Sequence, residues 1–254
     1  MTPQKYQAAN VTTPPAILRV SLTNIDVAFG CKGIVVLAPH PDDEILGCGA
    51  VLAAMASLGR SVCVIYLTDG GASQYSASPE ARETLVQLRQ REAREGLAQL
   101  GVPSDCAVFI AAPDGGLEPC ESAHSRLKIE LQSLAQGNLV SSVFVTSLDD
   151  GHPDHQAAYQ IAIDAVRAMP DIQLFAYPIS SRIDQGSPLD PTGKFPIVFD
   201  AAPFAARKRA ALHCHKSQLV ADPEAPGFTL SPATVDLMCQ GPEYFSKVDF
   251  DHER

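Results

Sequence analysis

The sequence predicts an α/β protein: a mostly parallel sheet covered on both faces by helices. Three observations carry that prediction. Short runs such as Ile34–Ala38 and Val62–Leu67 are apolar at successive positions, as strands buried on both sides must be. Longer stretches with apolar residues at helical spacing separate them. The polar turns richest in His, Asp and Gly all directly follow strands, and in such sheets ligands bind beyond the carboxyl ends of the strands.

Taken in order, Ile34–Ala38 is the first clear strand, and a helix follows from Glu44 to Leu58. Val62–Leu67 is the second strand, ending in Thr68-Asp-Gly-Gly71. A helix from about Pro79 to Leu100 places Val86, Ala93, Leu97 and Leu100 on one face, and Gly101 closes it as a C-cap glycine does. Ala107–Ala111 is the third strand, with the turn Pro113-Asp-Gly-Gly116 behind it. A helix over Ser122–Ala135 leads to the strand Ser142–Thr146, and a further helix buries Ala158, Ile161, Ala162 and Ala165. Strands at Gln173–Tyr177 and Ile197–Phe199 and a helix over Phe204–Ser217 complete the pattern. The chain reads as one domain, with a core over 26–218 and peripheral arms at 1–25 and 219–254.

At 254 residues and 46% hydrophobic, the chain can bury one substantial core. The formal charge of −10 argues against nucleic acid as a partner. No apolar run reaches 18 residues and the N-terminus has no signal-like pattern, so a cytoplasmic protein without membrane insertion is expected. Seven cysteines without a CxxC pattern read as reduced thiols. The proline-bearing arms are candidates for a homo-oligomer contact.

Two runs concentrate chemistry: His40-Pro-Asp-Asp-Glu44 and Asp150-Gly-His-Pro-Asp-His155. Histidine and carboxylate are the usual ligands of a divalent metal, and each run sits at a strand-to-helix junction. His40 and Asp43, three residues apart across such a turn, can aim at one point. Asp42 is rotated by about 100° from Asp43, so it need not share the ligand set and could instead reach a metal-bound water as a proton acceptor. Glu44 can cap the turn or orient His40. In the second run either His152 or His155 completes a His-Asp-His set, and Asp154 or Asp150 fixes a histidine tautomer. Three protein ligands and an open position make a catalytic rather than a structural zinc site, where a water reaches a pKa of about 7. The chain has neither a Gly-x-Ser-x-Gly elbow nor a Gly-x-Gly-x-x-Gly dinucleotide fingerprint after a strand.

These two runs resemble the signature of the PIG-L/LmbE-like zinc-dependent de-N-acetylases. Smaller matches accompany them: Leu67-Thr-Asp-Gly70, Arg89-x-x-Glu92, Pro113-Asp-Gly115, and Lys208 with His215-x-Ser-Gln218. The resemblance implies a Rossmann-like three-layer α/β/α fold with the metal site at the C-terminal edge of the strands. It also implies removal of an N-acetyl group from an N-acetylglucosamine-type conjugate. By position, it implies His40, Asp43 and His155 as ligands of Zn²⁺, with Fe²⁺ the alternative, and Asp42 as general base. His152 would stabilise the oxyanion or protonate the leaving amine, oriented by Asp154; Arg89 and Asp114 would hold sugar hydroxyls. Where some relatives carry a tyrosine two residues before His152, this chain has Asp150, and Tyr75 and Tyr159 are the candidate substitutes. The alternatives are an amidase for another amide, such as a thiol conjugate or an acylated antibiotic precursor, and a non-catalytic binding protein. The loops Gly71–Ser78 and Ser180–Lys194 would set substrate choice.

Overall fold

The computed structural model describes residues 16–74, 78–185, 194–220 and 227–250. Eight strands form one sheet: β1 (Leu18–Val20), β2 (Gly33–Ala38), β3 (Val62–Thr68), β4 (Ala107–Ala112), β5 (Val140–Thr146), β6 (Gln173–Tyr177), β7 (Ile197–Phe199) and β8 (Glu243–Lys247). Their order is β1-β7-β8-β6-β5-β2-β3-β4, and only β8 runs antiparallel to its neighbours. The nine helices of the described residues are α1 (Ile25–Phe29), α2 (Asp43–Ser57), α3 (Pro79–Leu100), α4 (Glu121–Gln136), α5 (Pro153–Val166), α6 (Ser180–Gln185), α7 (Ala205–Leu212), α8 (Lys216–Leu219) and α9 (Pro232–Gln240). None is long and apolar enough to cross a membrane.

The two-sided apolar strands do what their composition dictates. Ile34, Val36 and Ala38 of β2 pack into a core shared with α2, α3, α7 and α9. Val35 and Leu37 point the other way, into a core shared with α4 and α5. β2 pairs with β3 on one side and β5 on the other, so connections leave it in opposite directions. This reversal opens a crevice at the strands' carboxyl ends, where ligands bind in open α/β sheets.

Local signals set the helix that borders this crevice. Ser78 caps α3 by accepting the Ala81 N–H at 3.2 Å, Pro79 takes its first position, and Gly101 ends it with φ of 83°. The helix expected over 204–217 is two pieces, α7 and α8. The chain turns between them, which carries His215 into full burial beside α2 and α3.

The described parts of the arms expected at 1–25 and 219–254 are not peripheral. β1 and β8 belong to the sheet, and β8 is the link between β6 and β7. Glu243 of β8 lies fully buried against α2, accepting the N–H groups of Ala50 and Val51 and the Lys208 ammonium. Lys208 also donates to the Leu46 carbonyl, which an unbroken helix would use for Ala50. The ion pair thus substitutes for a missing rung of α2, and Gly49 leaves room for the Lys208 stem.

Candidate metal centre and active site

His40 follows the end of β2, Pro41 and Asp42 lead into α2, and Asp43 and Glu44 open it, all of them buried. Asp43 Oδ2 accepts the backbone N–H of His40 at 2.9 Å and lies 3.2 Å from His40 Nδ1. From the end of β5, α5 brings in His155, whose Nε2 is 3.3 Å from the same Asp43 oxygen. His40, Asp43 and His155 therefore converge.

Two tests ask whether a divalent metal fits there. The first is geometric. Ligand bonds of about 2.0–2.1 Å arranged tetrahedrally put donor atoms roughly 3.3–3.4 Å apart, close to the 3.2 and 3.3 Å separations around Asp43 Oδ2. The second concerns protons. Asp150 Oδ2 is 3.1 Å from His155 Nδ1, and its carboxylate also accepts the Ile179 N–H. That arrangement keeps the His155 proton on Nδ1 and turns the Nε2 lone pair toward Asp43. His40 has carboxylates at both nitrogens, with Asp154 at 3.2 Å and Asp114 at 3.3 Å from Nε2. Ring nitrogens facing carboxylates need positive charge between them, from a second ring proton or from a cation, and a divalent metal fits both the spacing and that demand. His152 contributes a third imidazole: donor atoms of His40, His152 and His155 lie within 4.8 Å of one another.

The same demand for positive charge appears in the titration of these groups. Burial alone would hold His40 neutral, but its hydrogen bonds to Asp114, Asp154 and Asp43 push it well above its ordinary value. His155 likewise overcomes burial and rises to about 9, through Asp43 and Asp150. His152, half-buried, is pushed down by desolvation and by its two histidine neighbours. Asp42 is pushed up to about 7, chiefly by burial, with Arg89 opposing. Asp114 falls to about 2, because its contacts with His40 outweigh burial.

Asp42 is held in an unusual backbone conformation, with φ of 137° as the residue preceding α2. Such a conformation persists only where surrounding contacts over-determine it. Glu44 Oε2 accepts the Asp42 N–H at 3.0 Å, while its other oxygen accepts the Tyr66 hydroxyl at 2.8 Å. Glu44 thus secures Asp42 and makes no contact with His40. Burial pushes Glu44 up to about 8.

The remaining expected residues fall at the site with altered duties. Asp154 orients His152 through its backbone N–H, donated to His152 Nδ1 at 3.2 Å. Its carboxylate goes to His40 and to the N–H groups of Gly115 and Leu117. Arg89 lines the cavity but is buried, with terminal nitrogens donating to the carbonyls of Gly70 and Pro41 and lying 3.6 Å from Asp42. In the structure those two hydrogen bonds tie Arg89 to the first motif and to the turn after β3. Asp114 faces both His40 and the cavity, and accepts the Ala72 N–H. Asp150 occupies the expected tyrosine position as the fully buried partner of His155. Tyr159 packs in the core on α5, and Tyr75 lies outside the described residues.

Sequence reasoning missed Phe228 and the Gly115 and Leu117 N–H groups. Those N–H groups carry no residue signal, because any residue in that turn supplies them. Phe228 follows 221–226, outside the described residues, and a lone aromatic in a polar tail gives no cue.

The structure is thus a three-layer α/β protein, its eight-stranded, mostly parallel sheet carrying at its carboxyl edge a His/Asp cluster that could hold a metal ion. The chain belongs to the PIG-L family, described as GlcNAc-PI de-N-acetylase, whose model matches residues 35–166. It is 27% identical over 188 residues to the uncharacterized deacetylase YaiS of Escherichia coli, covering 73% of this chain and 91% of that protein. It is 25% identical over 270 residues to the 1D-myo-inositol 2-acetamido-2-deoxy-alpha-D-glucopyranoside deacetylase of Thermomonospora curvata, covering 86% and 91%. Its fold resembles that of the N,N'-diacetylchitobiose deacetylase from Pyrococcus horikoshii, with a TM-score of 0.66, 18% identity, and 92% and 89% of the two chains covered.

Proposed function

We propose that this protein hydrolyses the N-acetyl group of an N-acetylglucosamine-type conjugate, using a divalent metal held by His40, Asp43 and His155. The observation that carries this reading is the pair of imidazoles facing one Asp43 oxygen, with Asp42 beside them in the same cavity. Zinc suits two nitrogens and one carboxylate with an open position, and Fe²⁺ is the alternative. The metal, when bound, lowers the pKa of a water and polarises the acyl carbonyl.

The chain's own residues supply the rest. Asp42, its backbone held by Glu44 and its carboxyl facing Arg89, would in its ionised form receive the proton as the water attacks. His152 lies at the half-open side of the cluster. Its Nδ1 accepts the Asp154 N–H, so a proton on this ring sits at Nε2, available to the oxyanion or to the departing amine. Asp150 holds the His155 tautomer and Asp154 the His40 ring.

The test is acetate release from acetylated glucosaminides by metal-stripped protein with and without added Zn²⁺. Zinc-dependent acetate from an amino sugar is expected. Stoichiometric metal without acetate from any sugar would remove the deacetylase reading.

A further inference from the structure

The cavity beside the metal centre holds about 800 Å³. That lies high in the range of ~300–1,000 Å³ typical of pockets for drug-sized ligands, so more than one acetamido sugar is accommodated. Beyond the His/Asp cluster, its lining includes Leu46, Ile179, Ile183 and Phe228.

Phe228 stands out. It is 54% exposed, and every other phenylalanine is buried or half-buried. The backbone, not burial of the ring, holds it there. Its N–H donates to the Ser73 carbonyl at 2.8 Å, beside an antiparallel bridge between Gln74 and Gly227. A Cβ at residue 227 would lie 2.2 Å from Ser73 O and 2.5 Å from Gln74 Cα, so only glycine permits this approach. The chain is pinned at a cost in backbone freedom, and the result is an aromatic ring presented at the cavity.

Charge narrows what the ring can face. Asp42, Asp43 and Asp114 line the cavity. Of its two lining arginines, Arg82 is bound to both oxygens of Asp69, and Arg89 is bound to two carbonyls. An anionic substituent would meet carboxylates and two cations already facing carboxylates, Arg82 against Asp69 at 2.7 Å and Arg89 against Asp42 at 3.6 Å.

We infer that the substrate's aglycone is uncharged and apolar, alkyl or aryl, and that it rests on Phe228 and Ile183. This rests on the deacetylase reading and names its substrate class. The zinc-loaded protein is assayed for acetate release from the methyl, hexyl and phenyl glycosides of N-acetylglucosamine and from N-acetylglucosamine 1-phosphate. The hexyl and phenyl glycosides exceed the methyl glycoside about tenfold in kcat/KM, chiefly through KM, and the phosphate falls below it. Phe228→Ala cuts the hexyl-to-methyl ratio to about twofold, and Phe228→Leu restores most of it. Calorimetric Kd values for the hexyl and methyl glucosaminide products follow the same ratio without any turnover. Equal values across aglycones, or a ratio unaltered by Phe228→Ala, overturn the inference while methyl glycoside turnover leaves the deacetylase standing. No acetate from any glycoside overturns both.

Discussion

The two histidine–aspartate runs have similar compositions but are held very differently. Residues 40–44 are buried throughout; the side chains of His40, Asp43 and Glu44 are each tied from at least two directions, and Asp42 is held through its backbone N–H and faces Arg89. The second run alternates: Asp150, Asp154 and His155 are buried, Gly151 and Pro153 are exposed, and His152 lies between. In the proposed mechanism the first run fixes the base and two ligands, whose positions must not drift. The second run would complete the ligand set from its buried members and leave one imidazole on the open side, where a proton could be delivered. Preorganisation and access are thus divided between two strand ends.

Substitutions sharpen that division, beginning with the largest effect. Asp43→Asn should abolish metal binding and activity together, whereas Asp42→Asn should keep stoichiometric metal and lose about a thousandfold in kcat. Metal analysis alongside turnover separates them, and near-normal activity in Asp42→Asn would remove it as the base. His152→Ala should cost about a hundredfold, mainly in kcat, with metal content unchanged. A loss of metal there would make His152 a ligand and dissolve the contrast.

Asp150→Asn reaches the buried part of the second run. It should weaken metal affinity about 10- to 100-fold by releasing the His155 tautomer, as read by competition with a chelator. Unchanged affinity would mean that His155 is held by packing alone.

The smallest effect concerns the wall behind the first run. His215 is fully buried 3.9 Å from Glu44, its ring nitrogens without partners among the described residues, and burial pushes it down to about 3. A lowered folded pKa means that the unfolded chain binds the extra proton between the ordinary value near 6.5 and about 3. Stability from this group is complete above pH 6.5 and is lost as pH falls. From pH 6 to 5, wild-type unfolding free energy should drop about 1 kcal/mol more than that of His215→Gln. Parallel pH dependences in urea titrations would show that water reaches this wall.

Much of this architecture is legible in the sequence wherever burial is two-sided. Gln173–Tyr177 and Ile197–Phe199 match their strands, and Pro79–Leu100 matches α3 from cap to cap. β8 escaped because Glu243, Ser246 and Lys247 read as surface, and nothing local reveals that Glu243 is neutralised by Lys208, 35 residues away. β1 is only three residues long. Ser231 and Pro232, a cap and first-turn proline, were a usable signal for α9. At the site, residue types and spacing identify the cluster because metal chemistry restricts them. Which carboxylate serves which imidazole depends on tertiary packing, so Asp154 acting on His40 and Asp150 on His155 had to be seen.

The seating of Glu243 in the middle of α2 has a consequence for how the molecule matures. All the proposed ligands precede residue 156, yet the helix carrying Asp43 completes its hydrogen bonding only when the last strand arrives. That strand also joins β1 and β7 to the rest of the sheet. A nascent chain that has not yet delivered Glu243–Lys247 would possess every proposed reacting group and still hold an unfinished scaffold. Contacts of such long sequence separation form late, so the scaffold is completed when β8 arrives rather than when the proposed ligands emerge.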